Sequence, residues 1–158
     1  MELPTSQCWL VMPIEPPKST HQANLRVLRS KSGKMFVGKM KNNKVSAWVD
    51  IARPYMVAGK PDKPCEGPVR VCIRLYYSPP KYLLPKINKC KTLVKTTKPD
   101  CDNVVKVILD EFTKLGYWLD DSQVWSLTVR KYWSQQPAVL CTITQNQNQQ
   151  NAQQPSSQ

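Results

Sequence analysis

Residues 69–77, Val-Arg-Val-Cys-Ile-Arg-Leu-Tyr-Tyr, alternate cleanly: Val69, Val71, Ile73, Leu75 and Tyr77 form one apolar face, and Arg70, Cys72, Arg74 and Tyr76 the other. A period of two marks a strand buried on one face. Residues 102–115 keep a different period. Val104, Val105, Ile108, Leu109, Phe112 and Leu115 recur at helical spacing, and Gly116 supplies a stop. A second helix is expected near residues 45–56, where Val45, Trp48, Val49, Ala52 and Met56 share a face and Pro54 weakens the end. Residues 8–12 read as a first strand, 25–39 as a hairpin around Gly33, and 124–133 and 138–144 as two further strands joined by a turn. The sum is an α/β (α+β) architecture: a small mixed sheet with hairpins, packed against two helices.

The tail breaks these patterns. Residues 145–158 carry no charge and no large apolar group, only Gln, Asn, Thr-free polar and small residues with one proline. Burial there cannot offset the entropy of ordering, so a disordered tail is expected after a folded domain at 1–144. The remaining chain is long enough, and at 41% hydrophobic apolar enough, for one core.

Charge adds a partner class. The formal net charge is +12, which favours a polyanion, because Lys and Arg that neutralise phosphates gain from counterion release. No stretch approaches the ~20 apolar residues of a membrane span. The N-terminus lacks a basic region followed by an apolar core, so a cytoplasmic protein is expected. Cys8, Cys65, Cys72, Cys90, Cys101 and Cys141 are scattered without a Cys-x-x-Cys pair, and His21 is the single histidine. This argues against zinc and for free thiols, with His21 a loop residue. Trp48, Trp118, Trp125 and Trp133 read as core or dimer contacts, since each lies in or beside an apolar element.

Against that basic background the acids are concentrated. Asp100, Asp102, Asp110, Glu111, Asp120 and Asp121 stand within or beside the helix at 102–115. Asp102, Lys106 and Asp110 are spaced to share one helical face. An extended chain at 100–102 would aim Asp100 and Asp102 the same way, and a turn after Gly116 would return Asp120 and Asp121 alongside the helix. Three carboxylates would then converge on a hard cation such as Mg2+ or Mn2+. Other roles stay open for the same residues: Asp100 or Asp102 as a helix cap, Asp120 and Asp121 as turn residues, Lys106 as a solvated lysine.

The runs Lys98-Pro-Asp-Cys-Asp-Asn-Val-Val-Lys and Gly116-Tyr-Trp-Leu-Asp-Asp-Ser-Gln-Val, separated by a helix, resemble the signature of the RusA-type Holliday junction resolvases. The resemblance covers roughly residues 98–129. It implies a homodimeric, metal-dependent endonuclease that resolves four-way DNA junctions by paired cuts in recombination and repair. It further implies Asp100, Asp102 and Asp121 as metal-binding catalytic carboxylates and Lys106 as a catalytic lysine, with Mg2+ as cofactor and Mn2+ as substitute. Asp120, Asn103 and Gln123 take supporting roles, and Cys101 stands where the family commonly carries an aliphatic residue. Such enzymes are bacterial or prophage-encoded, and their two-fold symmetry matches that of a junction. The acid-free stretch 78–98 is then a candidate DNA-contacting loop, in which Lys81, Lys86, Lys89, Lys91, Lys95 and Lys98 bind phosphates and Tyr82 stacks on a base. The competing reading is a non-catalytic basic nucleic-acid-binding protein whose acids are caps and turns, and a third is a basic assembly protein.

Overall fold

The alternating face of residues 69–77 becomes the centre of the core. In the computed structural model, which describes residues 6–18, 24–40 and 43–145, this strand is β4 (Val69–Tyr77), and all five apolar-face residues are at most 1% exposed. The five-stranded sheet has the order β1 (Ser6–Met12), β7 (Ala138–Gln145), β4, β6 (Val124–Ser134) and β5 (Thr92–Val94). β7 runs antiparallel to both β1 and β4, β6 runs parallel to β4, and β5 runs antiparallel to β6. A parallel neighbour needs a long crossover. The crossover from β4 to β6 contains α2 (Leu84–Cys90), β5 and α3 (Cys101–Leu115), and so carries every residue of the acidic motif. The hairpin β2 (Asn24–Arg29) and β3 (Met35–Met40) forms a separate two-stranded sheet, turning at Gly33 with φ 83°.

α1 (Asn43–Ala58) and α3 cover one face of the sheet. Val45, Val49, Ala52 and Met56 face inward from α1, and Val104, Val105, Ile108 and Phe112 from α3. Pro54 does not end α1, which continues to Ala58. Pro54 and Asp50, whose carbonyl loses its intrahelical donor, are both exposed, so water can satisfy that group. α3 ends where expected. Gly116 adopts φ 76°, and the Gly116 and Tyr117 amides bond the carbonyls of Thr113 and Phe112.

Two expectations change. The stretch 78–98 is folded: it holds a 3-10 turn (Lys81–Leu83), α2, whose Ile87 is buried, and β5, so among the described residues three α-helices replace the expected two. Gln145, expected to open the tail, closes β7 by pairing with Ser6 and Val69, because backbone pairing needs no apolar side chain. The loop at His21 and the tail from 146 lie outside the described residues. The six cysteines are free, as expected.

Glu111 is the acid of α3 that serves the fold. Its side chain is 6% exposed and is bound by Arg53 at 3.1 Å and Lys114 at 2.6 Å. Burial alone would push its carboxyl up; the hydrogen bonds from Lys114 and Arg53 outweigh burial and hold it below its ordinary 4.5. A carboxyl depressed in the folded state contributes stability above its unfolded pKa and loses it as pH falls through the folded value. Urea unfolding from pH 7 down to 3 should therefore show Glu111→Gln less stable at neutral pH by roughly 1–3 kcal/mol. The gap should narrow below about pH 4.5. An unchanged gap would remove Glu111 from the acid response.

Candidate active site

α3 begins immediately after Asp100. That residue holds the N-cap position with extended backbone, φ −75° and ψ 147°, and its carbonyl accepts the Val104 amide at 3.2 Å. Its carboxylate makes no capping bond. Asp102 lies in the first helical turn, so the expected extended alternation of Asp100 and Asp102 does not occur; Cys101 and Asp102 are already helical. Both carboxylates are nevertheless at the same helix end, both residues are exposed, and neither enters an ion pair or hydrogen bond among the described residues. Lys106, one turn further, is also exposed and unpaired there. In a chain of net charge +12, these unpaired carboxylates leave hard oxygen donors free for a cation that protein side chains do not supply.

Two lysines fix the approach to this helix end. Lys131 of β6 donates to the carbonyls of Thr97 at 2.9 Å and Pro99 at 2.5 Å. Lys95 donates to the Thr97 carbonyl at 3.1 Å, the Thr97 hydroxyl at 2.5 Å and the Lys98 carbonyl at 2.6 Å. The Lys95 ammonium also lies 4.1 Å from the Trp133 ring centre and 5.1 Å from that of Tyr77. Burial, and secondarily Lys131, push its pKa down. Lys95 is 4% exposed, so it does not offer itself to phosphate as expected but anchors the loop that presents Asp100. Lys81, Lys86, Lys89, Lys91 and Lys98 remain exposed, and Tyr82 is 75% exposed. Lys131 escaped the sequence reading, although a signal existed: its odd position between Val129 and Trp133 puts a lysine on the sheet's helix-covered side.

The second motif builds a turn. Asp120 accepts the Ser122 amide at 2.8 Å, and these bonds from Ser122 hold its carboxyl below the usual value. Gln123 returns its side-chain oxygen to the amides of Leu119 at 2.7 Å and Asp120 at 2.9 Å, completing a capping box. Its amide nitrogen donates to the carbonyls of Cys65 at 2.8 Å and Gly67 at 3.1 Å, which ties the turn to the segment entering β4.

Asp121 is held differently. Its Oδ1 accepts from the Thr113 hydroxyl and from Trp118 Nε1 at 3.3 Å, while Trp118 Nε1 also donates to Thr113 Oγ1 at 2.7 Å. Thr113 stands at the C-terminal end of α3 and Asp102 at its start. The eleven residue steps from one to the other rise roughly 16 Å. The expected convergence of three carboxylates therefore fails within one chain, and among the described residues no group of three His, Cys, Asp or Glu is placed to hold a metal ion. The chain returns alongside the helix as expected, but at the wrong end of it. By donor chemistry the residues fit a hard divalent cation, with oxygen ligands alone; by position, one chain supplies two of the three.

A sequence model of the family described as Endodeoxyribonuclease RusA matches residues 13–144. The uncharacterized protein YqaN of Bacillus subtilis (strain 168) is 38% identical over 89 residues, covering 53% of this chain and 62% of that protein. The crossover junction endodeoxyribonuclease rusA of Lactococcus phage r1t is 39% identical over 51 residues, covering 32% of this chain and 39% of that protein. The aligned parts thus span less than two thirds of either relative's length.

Proposed function

Because this chain belongs to the RusA endodeoxyribonuclease family, we propose that it is a metal-dependent, structure-selective endonuclease that resolves four-way DNA junctions in the bacterial cytoplasm. The observation that carries this reading is the pair Asp100 and Asp102, exposed and unpaired at the start of α3, with Lys106 one turn along. Mg2+, or Mn2+ in its place, would be held by Asp100, Asp102 and Asp121, and when bound supplies polarisation of the scissile phosphate and a more acidic attacking water. Lys106 stabilises the charge that builds on the phosphate oxygens. Lys95 and Lys131 keep the Asp100 loop in place. Lys81, Lys86, Lys89, Lys91 and Lys98 hold the DNA backbone. Since α3 separates Asp121 from the other two acids, the third ligand comes from a second copy of the chain, and the working unit is a homodimer. Its two-fold symmetry suits paired cuts on opposing strands.

Strand-labelled junctions and matched duplexes incubated with Mg2+ or Mn2+ test this reading. Paired nicks near the branch point, absent from duplex, are the expected result. Binding without cutting in either ion would instead establish a non-catalytic binding protein, a role to which the capping box at Asp120 and the engaged Asp121 carboxylate are suited. The lysines carry a separate expectation. Lys86→Ala with Lys89→Ala should lower the salt dependence of junction binding by about two in log–log slope. A slope unchanged in titrations between low and moderate salt would take α2 off the DNA.

A further inference from the structure

α1 and α3 pack on the sheet face that carries Val71, Ile73 and Leu75. The strand registers lay out the opposite face in rows. One row holds Tyr132, Tyr76 and Ala138. The next holds Arg130, Arg74, Leu140 and Val11, with Trp9 in a third. Trp9 and Val11 are 67% and 61% exposed. None of the five strands contains an acid. Arg70, Arg74 and Arg130 of this face are exposed and make no ion pair among the described residues. Tyr76 and Tyr132 stack, with ring centres 5.3 Å apart and planes 21° from parallel. Rings stacked from strand to strand stand up from the sheet. Ala138 continues the row without a ring. The free side of Tyr76 therefore looks over Ala138 into an open cavity of about 1000 Å³, walled by Val11 and Pro13 and by Ile87 and Asn88 of α2. β1 stands two strand spacings from β4, roughly 10 Å, so one flat ring fits over Ala138 as a third member of the stack. At the rim Gln135 Nε2 donates to Asn88 Oδ1. That leaves the Asn88 amide nitrogen and the Gln135 amide oxygen as a neighbouring donor and acceptor, neither engaged among the described residues.

We propose that this face binds single-stranded DNA, with one unpaired base slotted over Ala138 against Tyr76. A nucleobase is flat and carries donors and acceptors along its edge, which suits a ring-walled slot with an amide pair at its rim. Its backbone is anionic, which suits Arg74 and Arg130 in the next row and Arg70 beyond them. From the slot the strand runs past Leu140 to Trp9, whose exposed ring is a second platform for a base. Six residue steps separate Arg70 from Tyr76, roughly 20 Å, a site for about four nucleotides. The carboxylates of an acidic peptide would meet the arginines equally well, but not the slot, which calls for a flat ring with a polar edge. The site uses none of Asp100, Asp102, Lys106 and Asp121 and lies on the side of the sheet away from α3. It does not depend on the nuclease reading. It adds a grip on an unpaired strand, separate from the acids that address the backbone to be cut.

Fluorescence anisotropy of the full chain with a labelled oligothymidylate of about six nucleotides tests the proposal. Tyr76→Ala should weaken binding about tenfold or more, because it removes the stacking face. Ala138→Ile fills the slot from below and should weaken binding by a similar factor. Isoleucine suits a strand, so this variant should melt no lower than wild type, and it decides the matter if Tyr76→Ala fails to fold. Arg74→Glu with Arg130→Glu should weaken binding and flatten its salt dependence. An abasic strand of the same length should bind about tenfold more weakly than the thymidine strand. Junction cutting by Tyr76→Ala and Ala138→Ile should stay within about twofold of wild type, since neither touches the cutting site. Unchanged oligothymidylate binding in both of those variants overturns the proposal. So does equal binding of the abasic strand, or equal displacement of the oligomer by polyglutamate, either of which would show a face that selects charge alone. Joint loss of strand binding and junction cutting would place the strand in the cutting site and overturn a separate one.

Discussion

Asp102→Asn should lower junction cutting by roughly 1,000-fold or more, because it removes a charged ligand from a site whose work is electrostatic. Junction binding should persist or tighten slightly, since one repulsion towards phosphate is lost. The fold is not at issue. Asp102 is exposed and makes no hydrogen bond or ion pair among the described residues, so its stabilising role is limited to the helix dipole, about 0.3–1 kcal/mol. Single-turnover cleavage of end-labelled junctions, with binding measured in parallel, separates the two effects. Asp121→Asn should behave in the same way. Their mixture is more telling. A dimer of one Asp102→Asn chain and one Asp121→Asn chain has one intact set if Asp121 acts on the other copy, and none if it acts on its own. Equal mixing should restore nicking at about a quarter of the sites, as single nicks instead of paired cuts. A mixture as inactive as its components would exclude a shared site, and wild-type cutting by Asp102→Asn alone would remove the carboxylates from the chemistry.

Trp118→Ala should be the most destabilising of the substitutions considered. The side chain is 1% exposed, and its ring centre lies 5.8 Å from that of Phe112 and 6.3 Å from that of Tyr117. Loss of a fully buried tryptophan costs about 3–5 kcal/mol, since the transfer term and the cavity term add. For a domain of this size that is a fall in Tm of roughly 10 °C. Trp118 also donates to Thr113 and Asp121. Trp118→Phe keeps a ring in the core and removes that donor, so it should cost less stability, about 1–2 kcal/mol, while still loosening Asp121. Calorimetry of both variants, beside their cutting rates per folded protein, distinguishes a packing role from a positioning one. Equal melting temperatures for wild type and Trp118→Ala would contradict the burial described.

Asp102 and Trp118 differ in how openly the sequence displays them. Asp102 belongs to a motif whose letters lie close together, so its place at the start of a helix follows from local pattern. Trp118 lies in the second motif, and its pattern marks it as a core residue. Nothing local announces that its indole nitrogen reaches Thr113, or that this fastens Asp121 to the far end of α3. Lys95 is a similar case. In a run of lysines without acids it resembles its neighbours, yet β5 turns it beneath Trp133 while Lys86 and Lys89 stay in water. Composition cannot make that distinction, because every lysine in the run has the same local charge context.

Periodicity alone determined that β4 alternates, that α3 has one apolar stripe and that Gly116 stops it, because these properties depend on the chain's own repeat. The local spacing of the acids likewise placed Asp100 and Asp102 at one helix end. Tertiary structure decided the rest: the folding of residues 78–98, the burial of Lys95, and the roughly 16 Å that α3 puts between Asp102 and Thr113 beside Asp121. Each of these depends on which element lies next to which, and such neighbours are chosen by contacts between residues far apart in the chain.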